Sequence, residues 1–472
     1  MEWKTLLCPA RERESAGRVK SADLRSEFEK DYHRIIGSAS FRRLQDKTQV
    51  FPLDKSDFIR TRLTHSLEVS SFGKSLGQNI GENILKYRKN SGFTPQMKED
   101  ISHILQCAGL IHDIGNPPFG HFGETAIREW FMHNLPEITF RGQKVDEMFT
   151  EQMKQDFYHF EGNAQAFRLV TRLHYLVDEH GMNLTYALLN TIIKYPVPST
   201  EIDETGGNIK NKKMGYYFAD EQLFRKVTRA TGAGSNRHPL TYILEAADDI
   251  AYKTADIEDA FVKGFITYYT LEKELEPFDK MIEKERADTA FRPLEKLRRY
   301  YERGRQKGVA SPESYAVKNW IVSVQGFLIS CATFGFTSNY DRIMAGTFRH
   351  DLFYGTFGEK LMDLLGDMAY RYVFSSMTIY KMEVAESTIL DYLMDRLVRA
   401  VLYYDTDIGQ DTIDRRVVSF ISDNYKNAYR LQAQGKGEAE KLYLRLLLVT
   451  DYVCGMTDSY AKRLYQEMNG II

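Results

Sequence analysis

The fold class is decided by residues 101–124, which read ISHILQCAGLIHDIGNPPFGHFGE. From Ile101 to Ile111 the apolar side chains recur close to the i, i+3, i+4 and i+7 positions, the spacing of one buried helical face. The Asn-Pro-Pro sequence at 116–118 then ends the helix, because proline has no N–H to donate and clashes with the preceding turn. The same period returns at 242–251 and 390–401, whereas alternating, strand-like segments are few and short. The sequence therefore predicts an all-α protein.

Composition narrows the class of protein further. The chain has 472 residues, of which 43% are hydrophobic, enough to bury a large core and to exclude a disordered tail or a collagen-like repeat. Its 63 Lys and Arg residues nearly balance 65 Asp and Glu residues, which gives a net charge of -2. This balance argues against a protein whose whole surface binds nucleic acid, although it leaves room for a local cationic pocket.

The cysteines and the N-terminal sequence bear on location. Cys8, Cys107, Cys331 and Cys454 lie far apart without a CxxC pair, so we expect reduced thiols in a cytoplasmic protein. The first residues contain no apolar signal-peptide core, and the sequence has no run of about 18 apolar residues. We therefore expect neither export nor a membrane span.

Residues 112–124 carry the chemistry. His112 and Asp113 are adjacent near the end of a helix with a buried face, where an imidazole and a carboxylate can be directed at one divalent cation. This mixed nitrogen and oxygen donor set suits Mn, Mg, Fe or Zn, so ligand type alone does not name the metal. A His-Asp dipeptide also arises by chance, and the residues around it have to decide between the two interpretations.

A second pair of functional residues follows a Gly- and Pro-rich loop. His121 and Glu124 stand three residues apart at the start of another helical segment. Residues i and i+3 share a helix face, so Glu124 can orient His121 or return a proton to it beside a metal. Such a dyad can perform the general acid–base steps of a hydrolysis. A helix-capping or core histidine is the alternative interpretation of His121.

Two further stretches supply the remaining metal ligands. His65 lies one helical step from Arg62, so a metal ligand and a phosphate-binding guanidinium can face one cavity. Asp248, Tyr252 and Asp256 are spaced i, i+4 and i+8 and form one stripe among Ala and Ile neighbours. Buried carboxylates are costly unless they are paired or bind a metal, which favours a functional site. A solvated acidic face is the alternative interpretation.

The ordered motifs resemble a known family. His65, the His112-Asp113 pair and Asp248 together resemble the metal-binding pattern of the HD-domain superfamily of metal-dependent phosphohydrolases. The strings HDIGNPPFGHFGE at 112–124, HFEGNAQ at 159–165, EAADDIAY at 245–252 and GMTDSYA at 455–461 are similar to bacterial deoxyguanosinetriphosphate triphosphohydrolases, or dGTPases. The resemblance runs from about residue 34 to the end of the sequence. Four motifs in order are far more specific than a His-Asp pair alone.

The resemblance implies a role for each matching position. It implies metal ligation by His65, His112, Asp113 and Asp248, with Mg or Mn expected first and Fe or Zn left open. It implies that His121 and Glu124 form the catalytic dyad. The substrate-binding residues that it implies are Gln49, Val50, Tyr252 and Asp256 around the deoxyribose, Tyr380 near the sugar or base, Arg62, Lys194 and His159 at the phosphates, Asn163 and Tyr195 lining the pocket, and Arg445 reaching a neighbouring subunit's site.

The implied activity is that of a dNTP triphosphohydrolase, which acts preferentially on dGTP and releases deoxyguanosine and triphosphate. Two alternatives stay open. One is a general HD-domain nucleotide phosphohydrolase or phosphodiesterase, and the other is a nucleotide-sensing or single-stranded-DNA-binding oligomer with weak hydrolysis. The family also implies a homo-oligomer, often a hexamer, and single-stranded DNA as an allosteric ligand.

The domain organisation follows from the absence of a clean linker in the sequence. We expect one large helical HD-domain fold with a helical C-terminal extension. Residues 1–270 would form the metal-dependent phosphohydrolase core. The Lys-, Arg- and Glu-rich residues 271–317 would form a charged helical insertion or an interface arm. Residues 318–472 would complete the pocket and the oligomer interface.

Overall fold

A computed structural model describes residues 1–13, 23–51, 59–174, 178–284 and 291–471. Within these ranges, helices form nearly all of the regular structure. The exception is a hairpin of two-residue strands, β1 (Thr139–Phe140) and β2 (Gln143–Lys144), which pair antiparallel. The expectation of an all-α fold is confirmed.

The α-helices of the described residues are numbered α1 to α22 in chain order. The first twelve are α1 (Trp3–Leu6), α2 (Glu27–Ile36), α3 (Ala39–Arg43), α4 (Arg62–Tyr87), α5 (Pro95–Ile111), α6 (Gly120–Asn134), α7 (Val145–Met148), α8 (Glu151–Tyr158), α9 (Gly162–Arg168), α10 (Tyr186–Thr191), α11 (Glu221–Ala230) and α12 (Pro239–Val262). The others are α13 (Tyr268–Lys284), α14 (Pro293–Gln306), α15 (Pro312–Ser338), α16 (Tyr340–Met344), α17 (Phe357–Ala369), α18 (Met377–Val401), α19 (Thr412–Phe420), α20 (Asp423–Ala433), α21 (Glu438–Cys454) and α22 (Asp458–Met468). Two π-helical segments, Leu169–Leu173 and Tyr370–Phe374, extend α9 and α17.

Helices α4, α5 and α12 pack against one another and form the frame of the site. Side chains of Thr61 and Thr94 cap the N-termini of α4 and α5 and satisfy backbone N–H groups that have no partner within the helix. A glycine lets α4 and α5 approach closely, because a Cβ on Gly109 would lie 2.5 Å from the backbone nitrogen of Ser70. This close contact fixes the end of α5, where the His-Asp pair follows.

The turn between α5 and α6 is held by residues from distant parts of the chain. The Phe119 N–H donates to Asp458 Oδ1 over 2.9 Å, and the Thr48 N–H donates to Asp458 Oδ2 over 2.8 Å. The buried Lys47 ammonium donates to the Asn116 carbonyl oxygen over 2.5 Å. Asp458 is the first residue of α22 and belongs to the GMTDSYA string. The C-terminal motif therefore anchors the turn that carries the chemistry.

The charged segment 271–317 is mostly helical where the structure describes it, and its residues 285–290 lie outside the described ranges. It contains most of α13, all of α14 and the start of α15. Helix α14 buries Leu294 and Leu297, and the Trp320 indole N–H of α15 donates to the Pro293 carbonyl oxygen over 2.9 Å. Its role as an interface arm and the three-part division of the chain remain predictions.

Helix α15 qualifies the expectation about membrane spans. By length and composition it is the one helix of the described residues that could cross a membrane, with a mean hydropathy of 1.4 over an 18-residue window. Its inner face packs against α4, α12 and α14 and buries Trp320, Ile321 and Leu328. The core helices of soluble proteins pass the same test, so one such helix is weak support for a span.

Candidate active site

Four polar side chains converge where α4, α5 and α12 meet. Helix α4 supplies His65 and α12 supplies Asp248, while His112 and Asp113 follow directly after α5. The Nε2 atoms of His65 and His112 lie 3.1 Å and 3.3 Å from Asp248 Oδ1. His112 Nε2 is also 3.5 Å from Asp113 Oδ2. Ligand atoms of His65, His112 and Asp113 all lie within 4.8 Å of one another, close enough to bind one cation.

The hydrogen bonds of these histidines fit a divalent cation. His112 Nδ1 lies 2.8 Å from the Gly109 carbonyl oxygen, which only accepts, so Nδ1 carries the proton and Nε2 keeps a lone pair. That Nε2 atom is buried and faces the carboxylate oxygens of Asp248 and Asp113, which are acceptors and cannot satisfy its lone pair. A buried imidazole nitrogen without a partner is unfavourable unless it binds a metal. Two imidazoles and two carboxylates form a donor set that suits Mg, Mn, Fe or Zn.

Two cationic side chains and an amide hold the ligand carboxylates. Asn116 Nδ2 donates to Asp113 Oδ1 over 3.0 Å, and the Arg62 guanidinium donates to Asp113 Oδ2. Lys194 Nζ donates to Asp248 Oδ2 over 2.7 Å. Burial alone would raise the pKa of Asp113, but the charge of Arg62 holds it well below its usual range. Arg62 and Lys194, expected at the phosphates, therefore lie at the metal ligands themselves.

The structure brings His121 and Glu124 together on the first turn of α6. His121 Nδ1 donates to Glu124 Oε2 over 3.1 Å, and this bond raises the pKa of His121. The His121 side chain is 68% exposed, whereas Glu124 is 3% exposed. Burial alone would raise the pKa of Glu124, but the His121 hydrogen bond lowers it to about 2. The capping residue of α6 is Phe119, so an exposed His121 is neither a cap nor a core histidine.

The stripe on α12 continues from Asp248 through Tyr252 to Asp256. The Asp256 side chain is buried, so a solvated acidic face is excluded for this residue. Neither of its carboxyl oxygens has a hydrogen-bond partner in the described ranges, and burial raises its pKa well above the usual range. The Tyr252 ring stacks on Phe374, with centroids 6.4 Å apart. A residue of the C-terminal part thus lies against the face that carries Asp248.

The predicted sugar residues Gln49 and Val50 precede α4. Residue Thr48 pairs with Thr61 through a β-bridge, which brings this stretch to the N-terminus of α4. Val50 is buried, and Gln49 Oε1 is buried without a hydrogen-bond partner in the described part of the chain. Tyr380 lies in the first turn of α18 and is 45% exposed. These positions are compatible with a sugar subsite, but the assignments remain predictions.

Three other predicted pocket residues differ in their surroundings. Tyr195 is buried directly after Lys194, and burial raises its pKa to about 12. The Asn163 amide donates to Glu161 Oε1 over 2.7 Å. His159 lines a separate open cavity of about 420 Å³, together with Glu151, Gln155, Ser199, Thr200, Ile202 and Glu204. Tyr195 and Asn163 therefore adjoin the site, whereas His159 borders a second cavity.

Arg445 is enclosed within its own subunit. Its side chain is fully buried on α21, with the guanidinium 4.9 Å from the centre of the Phe140 ring. Its NH1 atom donates to the Tyr404 carbonyl oxygen over 3.3 Å. This guanidinium would have to leave the core of its own subunit to reach a neighbouring subunit's site, and that role remains a prediction.

Several residues that support the site were not predicted from the sequence. Gly162 donates its N–H to Glu124 Oε1 over 2.8 Å, and Arg128 lies one helical turn after Glu124 on α6. Lys213 forms an ion pair with Glu161, with Nζ and Oε2 2.8 Å apart. Glu161 and Gly162 could have been found from their place in the motif HFEGNAQ. Arg128 could have been found because it lies four residues after Glu124, on the same helical face. No sequence pattern indicated Lys213.

Comparisons with known proteins agree with this arrangement. The HD domain family model matches residues 62–179, which include His65, His112, Asp113 and the dyad. The chain is 49% identical to the deoxyguanosinetriphosphate triphosphohydrolase-like protein of Listeria monocytogenes, with 100% of both chains covered. It is 35% identical to the like-named protein of Pseudomonas aeruginosa, with 100% of this chain and 99% of the relative covered.

A relative with a more specific name extends the comparison. The chain is 33% identical to the deoxyguanosinetriphosphate triphosphohydrolase of Yersinia enterocolitica, with 93% of each chain covered. Full-length similarity at these identities, the HD-domain match and the convergence of four ligand side chains all indicate the same relationship. The chain is a member of the deoxyguanosinetriphosphate triphosphohydrolase family of HD-domain phosphohydrolases.

Proposed function

We propose that this protein is a dNTP triphosphohydrolase, which converts dGTP preferentially into deoxyguanosine and intact triphosphate. The observation that carries the proposal is an exposed His121, hydrogen-bonded to a buried Glu124, beside a cluster of four metal-ligand side chains. The names of the relatives support the deoxynucleotide substrate and the preference for dGTP. Mg or Mn is the metal we expect first.

The acid–base chemistry is assigned to the dyad. When bound, a divalent cation at His65, His112, Asp113 and Asp248 would polarise the α-phosphate and activate a water molecule. The bond between water oxygen and phosphorus forms while the bond from phosphorus to the 5′-oxygen breaks. His121 delivers its proton to the leaving 5′-oxygen, and Glu124 keeps the imidazole oriented through Nδ1. The attacking water loses one proton to solvent, and His121 takes one up from solvent, so the protons balance over a turnover.

Charge at the site suits a polyanionic substrate. Lys194 is 12% exposed and Arg62 is 2% exposed, and Arg62 Nε is buried without a hydrogen-bond partner among the described residues. We propose that Arg62 and Lys194 contact the phosphates beside the metal, since guanidinium and ammonium groups bind phosphate oxygens strongly. Asn163 and Tyr195 would line the same pocket.

The products test the proposal against a general phosphohydrolase. The purified protein is incubated with Mg²⁺ or Mn²⁺ and each dNTP, and the products are resolved by anion-exchange chromatography. We expect triphosphate and deoxyguanosine from dGTP, with slower turnover of the other dNTPs. Release of orthophosphate or pyrophosphate would instead favour another HD-domain activity. His121→Ala should abolish turnover, and His133→Ala, an exposed histidine at the other end of α6, is the matched control.

Sugar selection is assigned to Val50, Tyr252, Asp256 and Gln49. The buried Val50 side chain would leave no room for a ribose 2′-hydroxyl, and the loss of its hydration would add to the steric penalty. We expect Val50→Gly to raise turnover of GTP relative to dGTP by roughly tenfold. The assignment is wrong if dGTP turnover survives and GTP remains as poor a substrate as in the parent protein.

Oligomerisation is part of the proposal. Large apolar side chains are exposed near the start of α18, where Tyr370, Met377 and Val384 are 65%, 67% and 70% exposed. Exposed apolar side chains concentrated in one region favour a protein interface. We propose a homo-oligomer, with a hexamer as the first expectation, in the cytoplasm. Sedimentation velocity with and without single-stranded DNA tests both the assembly and the proposed allosteric ligand.

A further inference from the structure

Glu161 is a buried carboxylate directly behind the His121–Glu124 dyad. Glu161 is 2% exposed, and the residue that follows it, Gly162, donates its N–H to Glu124 Oε1. Glu161 belongs to the HFEGNAQ motif, but none of the roles assigned above uses it. A buried charge in this position needs a physical reason, because burial of an unpaired carboxylate is strongly unfavourable.

Three side chains hold the Glu161 carboxylate. Lys213 Nζ lies 2.8 Å and Arg128 NH2 lies 3.3 Å from Glu161 Oε2, and Asn163 Nδ2 donates to Oε1 over 2.7 Å. Arg128 is further fixed because its Nε donates to the Phe160 carbonyl oxygen over 2.6 Å. Glu161 is therefore the centre of a fixed cluster of two cations and an amide.

Arg128 is shared between two carboxylates. Its NH2 atom lies 3.6 Å from Glu124 Oε2, beyond hydrogen-bond distance, and is closer to Glu161. Glu124 Oε2 is the same oxygen that accepts the His121 hydrogen bond. A guanidinium that bonded this oxygen directly would compete with the imidazole for it. Glu161 thus holds the Arg128 cation away from the oxygen that His121 uses.

We propose that Glu161 and Lys213 form an ion pair that positions Arg128 and so reserves Glu124 Oε2 for His121. Glu161 is a positioning residue in this proposal, which rests on the proposed acid–base role of His121. Charge on Glu161 also strengthens the negative field around the imidazole, while charge on Lys213 weakens it. The two halves of one ion pair should therefore change the proton affinity of His121 in opposite directions.

Other charged groups that face His121 stay the same in the test. They are Glu124 on its own helix, Arg62 at the start of α4 and Asp113 after α5. A change in the titration midpoint of His121 after substitution of Glu161 or Lys213 can then be assigned to the Glu161–Lys213 ion pair.

The titration of His121 tests the proposal without turnover. Protein labelled with ¹³C-histidine and loaded with Mg²⁺ is titrated by NMR in the absence of nucleotide, and the His121 signal is identified by its loss in His121→Gln. We expect the titration midpoint to move to lower pH by about 0.5 in Glu161→Gln and to higher pH by about 0.5 in Lys213→Gln. The double variant should titrate close to the parent protein. Lys280→Gln, an exposed lysine on α13, is the control.

Opposite movements distinguish positioning from a purely structural role. Midpoints that stay unchanged, or that move in the same direction in both single variants, would overturn the proposal. Lys213 is 32% exposed, so Lys213→Gln gives a second reading if Glu161→Gln unfolds. The alkaline limb of the kcat profile should follow the NMR midpoints. If dGTP is not hydrolysed, the NMR result still stands, so failure of the proposed function is recognised separately.

Discussion

Gly162 occupies a position that only glycine fits. A Cβ at this residue would lie 2.0 Å from Asn116 Oδ1 and 2.6 Å from Glu124 Oε1. Asn116 donates to the candidate ligand Asp113, and Glu124 accepts from His121. The absence of a side chain at Gly162 therefore leaves room for both of these hydrogen bonds. Glycine is needed here because of the limited space and not because of an unusual backbone angle, since Gly162 is not among the described residues with a positive φ.

Gly162→Ala should therefore impair the enzyme indirectly, because the added methyl group displaces the side chains of Asn116 and Glu124. Displacement of the Glu124 carboxylate by about an ångström is expected to lower kcat by roughly 100-fold. Triphosphate release measures the effect, and the melting temperature shows that the variant is folded. Gly437→Ala is the matched control, because nothing lies within 4 Å of a Cβ there. Retention of activity within a factor of three would contradict this reading of the contact.

The Glu124–His121 bond predicts the direction of a pH effect. Glu124 raises the pKa of His121, so the protonated acid and the activity should persist below that pKa and decline as pH rises through it. Glu124→Gln removes the charge and should move the alkaline limb of the kcat profile to lower pH. Initial rates between pH 6 and about 9.5 would reveal the limb. An unmoved limb in a folded variant would assign that titration to another group.

At the scale of elements, helix α22 acts on a turn far from it in sequence. The Asp458 carboxylate accepts from Phe119 and Thr48, so α22 holds both the start of α6 and the stretch before α4. Buried backbone N–H groups that lose their acceptor are destabilising by about 1–3 kcal/mol each. The orientation of the dyad therefore depends on a helix that contributes none of its atoms.

Asp458→Asn should weaken catalysis while metal binding is retained. The amide keeps the shape but offers only one acceptor oxygen, so one of the two N–H groups loses its partner. We expect kcat to fall by roughly tenfold and the Mn²⁺ affinity, measured by calorimetry, to stay within about twofold. Asp423→Asn, on the exposed first turn of α20, provides the control. An equal loss of kcat in Asp458→Asn and Asp423→Asn would show that the Asp458 contacts do not specifically support catalysis.

Helical periodicity predicted the helices that frame the site, but it did not predict the contact between Asp458 and the turn before α6. The periods at 101–111, 242–251 and 390–401 fall within α5, α12 and α18, because the buried face of a helix is visible in local spacing. The contact from Phe119 to Asp458 spans 339 positions, and local patterns contain no information about such a pairing. The burial of Arg445, by contrast, is visible locally, because this residue stands within the apolar run LYLRLLLV.

At the scale of the whole molecule, the candidate metal ligands come from two helices and from the end of a third. His65 on α4, the pair after α5 and Asp248 on α12 are 183 positions apart at the extremes, so a bound cation would cross-link much of the core. A ligand that binds only the folded state stabilises it by mass action, by about 2.7 kcal/mol at 100 times its Kd. If the cation binds there and serves the reaction as proposed, its removal should lower both stability and activity.

Mn²⁺ or Mg²⁺ should therefore raise the melting temperature, and removal by a chelator should lower it. An increase of several degrees is expected from binding at saturating metal. Differential scanning fluorimetry at a series of metal concentrations measures the shift. His112→Ala should abolish most of the dependence, because it removes a ligand, while His133→Ala should keep it. An equal shift in His112→Ala would place the responsible metal elsewhere.

The anchoring of Phe119 by Asp458 also orders events during protein synthesis. The turn of residues 116–120 leaves the ribosome long before its acceptor 339 positions later has been translated. All four candidate ligand residues precede that acceptor in the sequence. A nascent or truncated chain can therefore contain every candidate metal ligand before Asp458 is present to anchor the turn next to His121 and Glu124. If the dyad acts as proposed, we expect full hydrolytic activity only once α22 has docked, and a chain that lacks α22 should hydrolyse nucleotide more slowly than the complete protein.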